Sequence, residues 1–367
     1  MSVKKRIVVA MSGGVDSSVA AAMLATEGHE VIGITIKTYA YEDVGGNNGN
    51  ESSCCSLDGI NDARAVAAQF GFPHYVLDFS EPFADAVIED FVAEYMRGRT
   101  PNPCVICNRK IKWEELIRKA DALGADYVAT GHYAGLRRIP ETGRYVVSRG
   151  RDSGKDQSYA LWALTQESLA RTLFPLGAYT KPEVRALGTR LGLAVAGKGE
   201  SFEICFIPDN NYERFLKERI PGLEQKVAGG EIIRDGRVVG QHRGFPFYTI
   251  GQRRGIGVAV GEPIYVTGID PGNNRVEIGN EKTLYRSGLI ARDLNMMKYE
   301  RCPSGLRVNV RIRYKDEGGV GSAEQLPEGK LRVVFDEPRR AITPGQSAVL
   351  YEGDDLVGGG VIDEVLP

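Results

Sequence analysis

Long apolar runs are missing from this chain of 367 residues. No stretch approaches the roughly 18 residues that a membrane-spanning helix needs, so no membrane association is expected. An excess of one charge is missing as well. Lys and Arg total 46 against 48 Asp and Glu, so any RNA footprint has to be a local patch rather than a global basic field. Cysteine is sparse, with 6 residues at irregular spacings, which excludes a disulfide scaffold and favours thiols used for metal binding or catalysis. Zinc signatures are incomplete: the C-x-x-C of Cys104 and Cys107 has no second pair and no paired histidines to close a site. The start, MSVKKRIVVAMSGG, lacks a cleavage-site pattern, so a secretory signal is not expected and a cytoplasmic location is. Repeats and low-complexity tracts are absent.

What is present begins with SGGVDSS at residues 12–18. The apolar run 7–11 reads as a buried strand, and residues 19–24 continue as a helix. Gly13 and Gly14 leave backbone N–H groups open to a ligand, and the helix points its positive end at the same place. Ser12, Ser17 and Ser18 add hydroxyl donors. Such a turn suits a polyanion, yet it has no GK[ST] and is therefore not a Walker loop. Asp16 is the candidate neighbour of a metal or pyrophosphate, with helix capping as its plainer role.

The first 200 or so residues alternate apolar runs (7–11, 31–36, 74–78, 127–130) with helical spacing (60–70, 83–96, 111–123). This predicts an α/β fold with a doubly wound parallel sheet, ligands binding beyond the strand carboxyl ends. Residues 37–56, 97–108 and 131–157 leave those ends as loops. Further helical spacing covers 159–173 and 181–191, with Pro182 suited to a helix start. From about residue 222 short β-branched runs between turn residues take over, which suggests small barrels or sandwiches. The expected division is an α/β domain over 1–210, a small mostly β central domain over 211–282, and a C-terminal β-barrel over 283–367.

TPNPCVICNRKIKW places Cys104 and Cys107 before a helix expected near Ile111. Helix starts and cations favour a reactive thiolate, and Arg109, Lys110 and Lys112 supply the cations. Cys205 lies between Ile204 and Phe206, where a buried apolar cysteine is the plainer reading. Cys54 and Cys55 are loop or core thiols, and Cys302, beside Pro303, is structural. His132 follows the strand 127–130 next to Gly131, which permits close ligand approach, so binding is favoured for it; Tyr133 has no role beyond packing. Phe245, Phe247 and Tyr248, bracketed by basic residues, suit base stacking. Arg307, Arg311 and Arg313 alternate on one expected strand and would project from one face toward a phosphate backbone.

SGGVDSS, CCS followed by DARAVA, TPNPCVICNRKIKW, ATGHYA, KDQSYAL, CFIPD, YTIGQRRGIG and PGQSAVLY occur in this order. Together they resemble the tRNA-uridine 2-sulfurtransferase (2-thiouridylase) family, within the PP-loop ATP pyrophosphatases, over essentially the whole chain. The resemblance implies ATP-dependent thiolation of the wobble uridine in tRNA anticodons. It implies ATP, with Mg²⁺, on Ala10, Met11, Ser12, Gly13, Gly14, Val15, Asp16 and Ser17, with Ile36 and Gly131 lining the adenosine pocket. The target base would meet Asn102, Pro103 and Cys104. The family commonly carries Asp in that third place, where this chain has Cys104. By the Cys-Asn dipeptide the nucleophile falls on Cys107, with Cys104 as a substitute or partner, and Cys205 matches the persulfide cysteine. His132, Lys155, Asp156, Gln157, Arg313, Tyr314 and Gln346 match tRNA-contacting positions. Partners implied are tRNA and a sulfur-carrier protein that delivers the persulfide. Three rival readings stay open: another ATP-cleaving enzyme of the same class, a non-enzymatic RNA-binding module, and, less favoured, an iron–sulfur cluster on Cys104, Cys107 and Cys205.

Overall fold

The computed structural model describes residues 3–39, 57–199 and 204–367. These divide into two compact units: 1–87, 104–210 and 354–356 belong to the first, and 88–103, 211–353 and 357–367 to the second.

In the first unit, β1 (Arg6–Ala10), β2 (Glu30–Lys37), β3 (His74–Asp78) and β4 (Tyr127–Ala129) are parallel strands. After an antiparallel hairpin of β5 (Ala134–Arg138) and β6 (Tyr145–Arg149), the two-residue β7 (Thr172–Leu173) completes the sheet in the order β3-β2-β1-β4-β7. β1 is apolar at successive positions because helices cover both of its faces. Ile7 and Val9 pack with Val19 and Leu24 of α1 (Val15–Thr26) and with Val66 of α2 (Leu57–Phe70). Val8 packs on the other side with Ile32, Val128 and with Leu116 and Ala120 of α3 (Leu116–Ala122). A fourth helix, α4 (Lys181–Arg190), adds Val184 to the first face. The strand order reverses at β1, with β2 and β3 on one side and β4 and β7 on the other. In such sheets the crevice beyond the strand ends at the reversal is where ligands bind.

The parallel sheet expected from the sequence is therefore present, with two local corrections. Residues 159–173 do not form one helix: a single turn over Ser158–Leu161 and a short helix Gln166–Ala170 lead into β7. The β5–β6 hairpin occupies part of what reads as the loop 131–157.

In the second unit, β8 (Gly230–Arg234), β9 (Arg237–His242), β10 (Tyr265–Asp270) and β11 (Arg275–Gly279) form a sheet in the order β10-β11-β8-β9. Six more strands close into a barrel: β12 (Tyr285–Met296), β13 (Leu306–Arg311), β14 (Gly319–Gln325), β15 (Leu331–Arg340), β16 (Ser347–Glu352) and β17 (Asp355–Leu366). Pairing of β12 with β17 completes the circuit, which removes the exposed sheet edges. Leu306, Val308 and Val310 of β13 alternate inward to meet Leu289, Val333, Leu350 and Ile362.

The helix Glu89–Met96 also belongs to the second unit. Phe91 meets Phe215 of α5 (Tyr212–Arg219) edge-on at 6.0 Å, and Tyr95 stacks on Tyr212 at 4.8 Å. Burial of Tyr212 pushes its phenol up to about 12. Aromatic pairs of this kind add about 0.5–1.5 kcal/mol each beyond simple area burial.

Candidate active site

The Ser12–Ser17 turn is shaped by its own hydroxyls. Ser12 N–H donates to Ser17 Oγ (3.1 Å), Gly14 N–H reaches Ser12 Oγ (3.4 Å), and Ser17 Oγ donates to the Gly14 carbonyl (3.3 Å). Gly13 has φ +74, and a Cβ there would lie 2.0 Å from the Gly59 carbonyl of α2, so only glycine fits. Gly14 is the N-cap of α1 and contributes no side-chain cap. The first turn of this twelve-residue helix starts at the carboxyl end of β1, and first-turn amides of a helix are suited to an anion. Met11 is buried beneath the turn, Ala10 ends β1, and Ile36 lies near the carboxyl end of β2.

Asp16 does not cap the helix. Its Oδ1 and Oδ2 accept from Lys181 Nζ at 2.7 and 2.8 Å, and its Oδ1 also accepts from the Tyr133 hydroxyl at 2.7 Å. Lys181 is buried. It stands at the start of α4 because Thr180 and Glu183 form a capping box there and Pro182 fits the first turn. Lys181 escapes the sequence reading, and the expectation that Tyr133 only packs is corrected, because its hydroxyl holds Asp16. The available signal was a lysine at a helix start, where the helix dipole disfavours a cation unless an anion answers it. Gly131 is needed for a reason other than ligand approach: a Cβ would fall 2.7 Å from Ser17 N and 2.8 Å from the Asp16 carbonyl carbon. Its missing side chain lets the segment after β4 lie against the first turn of α1.

Cys104 and Cys107 do not precede a helix; they are inside its first turns. Pro103–Ile106 is helical and runs on as a wide, π-wound stretch, Cys107–Glu115, into α3. Cys107 stands where the winding changes, and π-wound segments are common at functional sites. Cys104 is exposed and Cys107 half-buried. Asn108 is buried and donates to the Ala160 carbonyl at 3.0 Å. Of the three cations expected beside the thiols, Arg109 and Lys110 pair with Glu114 instead, at 3.3 and 3.0 Å. Cys205 is half-buried, whereas the next residue, Phe206, is buried against Phe83. Cys302 is half-buried in the barrel with Sγ near the Ala323 carbonyl, and burial pushes its thiol up. Cys54, Cys55, Glu200, Ser201 and Glu203 lie outside the described residues.

His132 sits in an aromatic pocket, with ring centroids 5.6 Å from Trp113 and 6.1 Å from Phe174, and Nδ1 is 2.7 Å from Thr130 Oγ1. Burial, assisted by nearby Lys112, holds its pKa well below the usual histidine range, so the ring is neutral.

Several positions matched to RNA contacts have internal partners. Asp156 is buried; its carboxylate accepts from the Gly150 and Ser158 N–H groups and from the Ser158 hydroxyl. Gln157 Oε1 accepts from Tyr133 N–H at 3.0 Å. Lys155 is half-buried in the same turn, its N–H donating to the Asp152 carbonyl. The expected arginine row is shorter: β13 ends at Arg311, whose guanidinium braces the Tyr314 and Asp316 carbonyls, and Arg313 lies in the turn beyond. Arg313 and Tyr314 are exposed. Phe245, Phe247 and Tyr248 are all buried, so the expectation that they stack on bases is corrected. Among the described residues no group of three His, Cys, Asp or Glu side chains is gathered to hold a metal ion, the cysteine trio of the iron–sulfur reading included. No described helix is long and apolar enough to cross a membrane.

Comparison with known proteins adds the remaining evidence. The family models of a tRNA methyl transferase HUP domain, a tRNA methyl transferase PRC-barrel domain and an aminomethyltransferase beta-barrel domain match residues 5–209, 213–280 and 286–362. The tRNA-specific 2-thiouridylase MnmA of Salinibacter ruber is 54% identical over 100% of this chain and 96% of its own length. The chain belongs to the tRNA-specific 2-thiouridylase family. Relatives with the same name from Cytophaga hutchinsonii and Amoebophilus asiaticus are each 52% identical, over 99% and 98% of this chain and 98% and 95% of theirs. Membership makes the protein a sulfurtransferase, built from a HUP-type parallel-sheet domain, a PRC-barrel domain and a C-terminal barrel.

Proposed function

We propose that this enzyme uses ATP to thiolate C2 of the wobble uridine in tRNA anticodons. Residues 1–210 carry the chemistry, and the parts at 211–282 and 283–367 serve the RNA. The supporting observation is that the Ser12–Ser17 turn, Cys107 and Cys205 all belong to one compact unit.

The C2 oxygen of uridine leaves badly, and its adenylation converts it into AMP, a competent leaving group. The α1 amides and the Lys181 ammonium meet the phosphate charge. Lys181 keeps its charge because Asp16 answers it and Tyr133 steadies Asp16. Ile36 and Gly131 border the adenosine. Mg²⁺ would arrive on the nucleotide, since magnesium is commonly held by substrate phosphates with few protein ligands. The carboxylate in the turn, Asp16, is held by Lys181 and Tyr133, so a metal ion near it would share its oxygens with those donors.

Sulfur reaches Cys205 as a persulfide from a carrier protein. In one route the terminal sulfur attacks C2 and AMP departs. Cys107 thiolate then attacks Cys205 Sγ, releasing the thiouridine. In the other, Cys107 attacks Cys205 Sγ first and the hydrosulfide set free attacks C2. Both routes end in a Cys107–Cys205 disulfide, which an external thiol reduces before the next turnover. Cys104, Asn102 and Pro103 receive the base. His132, Lys155, Arg313 and Tyr314 face RNA, while Asp156 and Gln157 shape the turn that presents Lys155. The setting is cytoplasmic, where reductant is available.

Cys107→Ser and Cys205→Ser should each abolish 2-thiouridine formation while tRNA binding stays close to that of the unaltered enzyme. Retained turnover in both variants would refute the assignment. AMP release that depends on unmodified tRNA separates this activity from that of other ATP-cleaving enzymes and from RNA binding alone.

A further inference from the structure

Three sequence motifs that lie far apart in the chain meet on one short segment of the second unit. Residues 98–101 lead into Asn102 and the two cysteines. Thr100 N–H donates to the Pro344 carbonyl at 2.9 Å, and Gln346 Nε2 donates to the carbonyls of Thr100 (2.9 Å) and Pro101 (3.2 Å). Between them, a Cβ on Gly345 would lie 2.9 Å from the Thr100 nitrogen and oxygen, so glycine is what lets the two backbones close. From the YTIGQ motif, Thr249 Oγ1 meets Thr100 Oγ1 at 3.3 Å. Arg99 adds charge. Its Nη2 donates to Asp363 Oδ1 (2.8 Å) and the Ile362 carbonyl (3.0 Å), and its Nε faces Glu94 Oε2 (3.1 Å). Glu94 is only 4% exposed at its side chain and is answered by Arg97 and Arg292 as well.

The pinned segment alternates in exposure. Pro101 and Pro103 are buried and fix their own φ, whereas Asn102 is half-buried and Cys104 is exposed. Two of the three residues assigned to the target base, Asn102 and Cys104, keep exposed surface, while the third, Pro103, is buried. Gln346, which the family resemblance matches to an RNA contact, has its amide donors committed to this backbone.

We propose that Arg99, Gly345 and Gln346 are positioning residues, forming a clamp that holds residues 100–103 in the conformation that presents Asn102 to the target base. This rests on the assignment of Asn102–Cys104 to that base. The clamp acts through the backbone: it fixes the two carbonyls and one N–H immediately before Asn102. Errors of about an ångström in the placement of a reacting group can reduce turnover on the order of a hundredfold.

The test uses full-length enzyme and tRNA carrying 5-iodouridine at the wobble position, with photocrosslinks mapped by mass spectrometry. Gln346→Glu keeps size but removes both donors, Arg99→Gln removes the charge, and Arg99→Lys restores it. Melting curves confirm folding. The clamp predicts that Gln346→Glu and Arg99→Gln lose the crosslink to the 102–104 peptide per bound tRNA and lower kcat roughly ten- to a hundredfold. The tRNA Kd stays within about threefold, and Arg99→Lys recovers part of both losses. Weakened tRNA affinity with an unchanged crosslink per bound tRNA would overturn it, making these residues RNA contacts. Unchanged crosslink and kcat in folded variants would overturn it too. If the unaltered enzyme thiolates its tRNA but never crosslinks at 102–104, the base assignment itself falls, and the clamp with it.

Discussion

Gly131→Ala is the sharpest perturbation of the nucleotide turn. The new methyl group would begin 2.7 Å from Ser17 N and 2.8 Å from the Asp16 carbonyl carbon, whereas ordinary contacts start at 3.4 Å. Both neighbours are backbone or fixed to it, so no side chain can swing away. The difference between 3.4 and 2.7 Å means that α1 and the segment after β4 must separate by about 0.7 Å, at a cost of about 1–3 kcal/mol in stability. The displaced atoms are the first-turn amides and the Asp16 carboxylate that holds Lys181. Loss of tRNA-dependent AMP release should therefore be roughly ten- to a hundredfold, larger than the stability change implies. Gly197→Ala is the control, because nothing lies within 4 Å of its added methyl group. The assay is AMP release from labelled ATP at saturating tRNA, with melting curves for both variants. Gly131→Ala turning over like Gly197→Ala, in a folded protein, would refute the reasoning.

Other consequences are as direct. Asp16→Asn leaves the buried Lys181 ammonium facing a neutral amide. Since Asp16 is 32% exposed, solvent screening reduces the usual cost to about 2 kcal/mol, and adding Lys181→Met should restore part of it; an unchanged denaturation midpoint in Asp16→Asn would count against the pair. His74, His132 and His242 are all held below the usual 6.5 by burial. Below that pH the unfolded chain binds the protons they refuse, so stability should fall on acidification from pH 6.5 toward 5, by at most about 1.4 kcal/mol per pH unit for each fully depressed histidine. A stability curve that stays flat across that window contradicts the histidine environments. Phe247→Ala should destabilise the second unit by about 3–5 kcal/mol because the ring is buried; a stable variant with selectively weakened tRNA binding would return that aromatic to the RNA surface.

The parallel sheet was legible because β1 and β2 are mostly buried apolar runs next to turn residues, with the half-buried Val76 and Leu77 marking β3, and the glycine turn announced the helix that follows. β7 was not, because two residues carry no periodicity and the strand exists only by pairing with β4. β14 also escaped notice. Its sequence GVGSAEQ has small residues at Gly319, Gly321 and Ala323, and a Cβ on Gly321 would lie 2.5 Å from the Val334 carbonyl of β15. Close approach of neighbouring strands therefore demands what looks like a loop composition. Within the site, the anion turn and the cysteines were visible as motifs. Lys181 and Tyr133 were not, because their meaning depends on a carboxylate more than a hundred residues away in sequence. Exposure was the other blind spot: alternation of Arg243, Phe245, Phe247 and Tyr248 looks like an RNA surface, yet the rings face inward. A hydrophobic ring carries no sequence mark that tells core from platform.

Sulfur passing from Cys205 to the base at the expense of a bond with Cys107 is the central claim. One turnover with persulfide-loaded enzyme, ATP and unmodified tRNA, without reductant, followed by peptide mapping under non-reducing conditions, tests it directly. The account predicts a disulfide joining Cys107 to Cys205 in equal amount to the 2-thiouridine formed. Thiouridine formed with both residues still as thiols, or with Cys104 in place of Cys107, would contradict it.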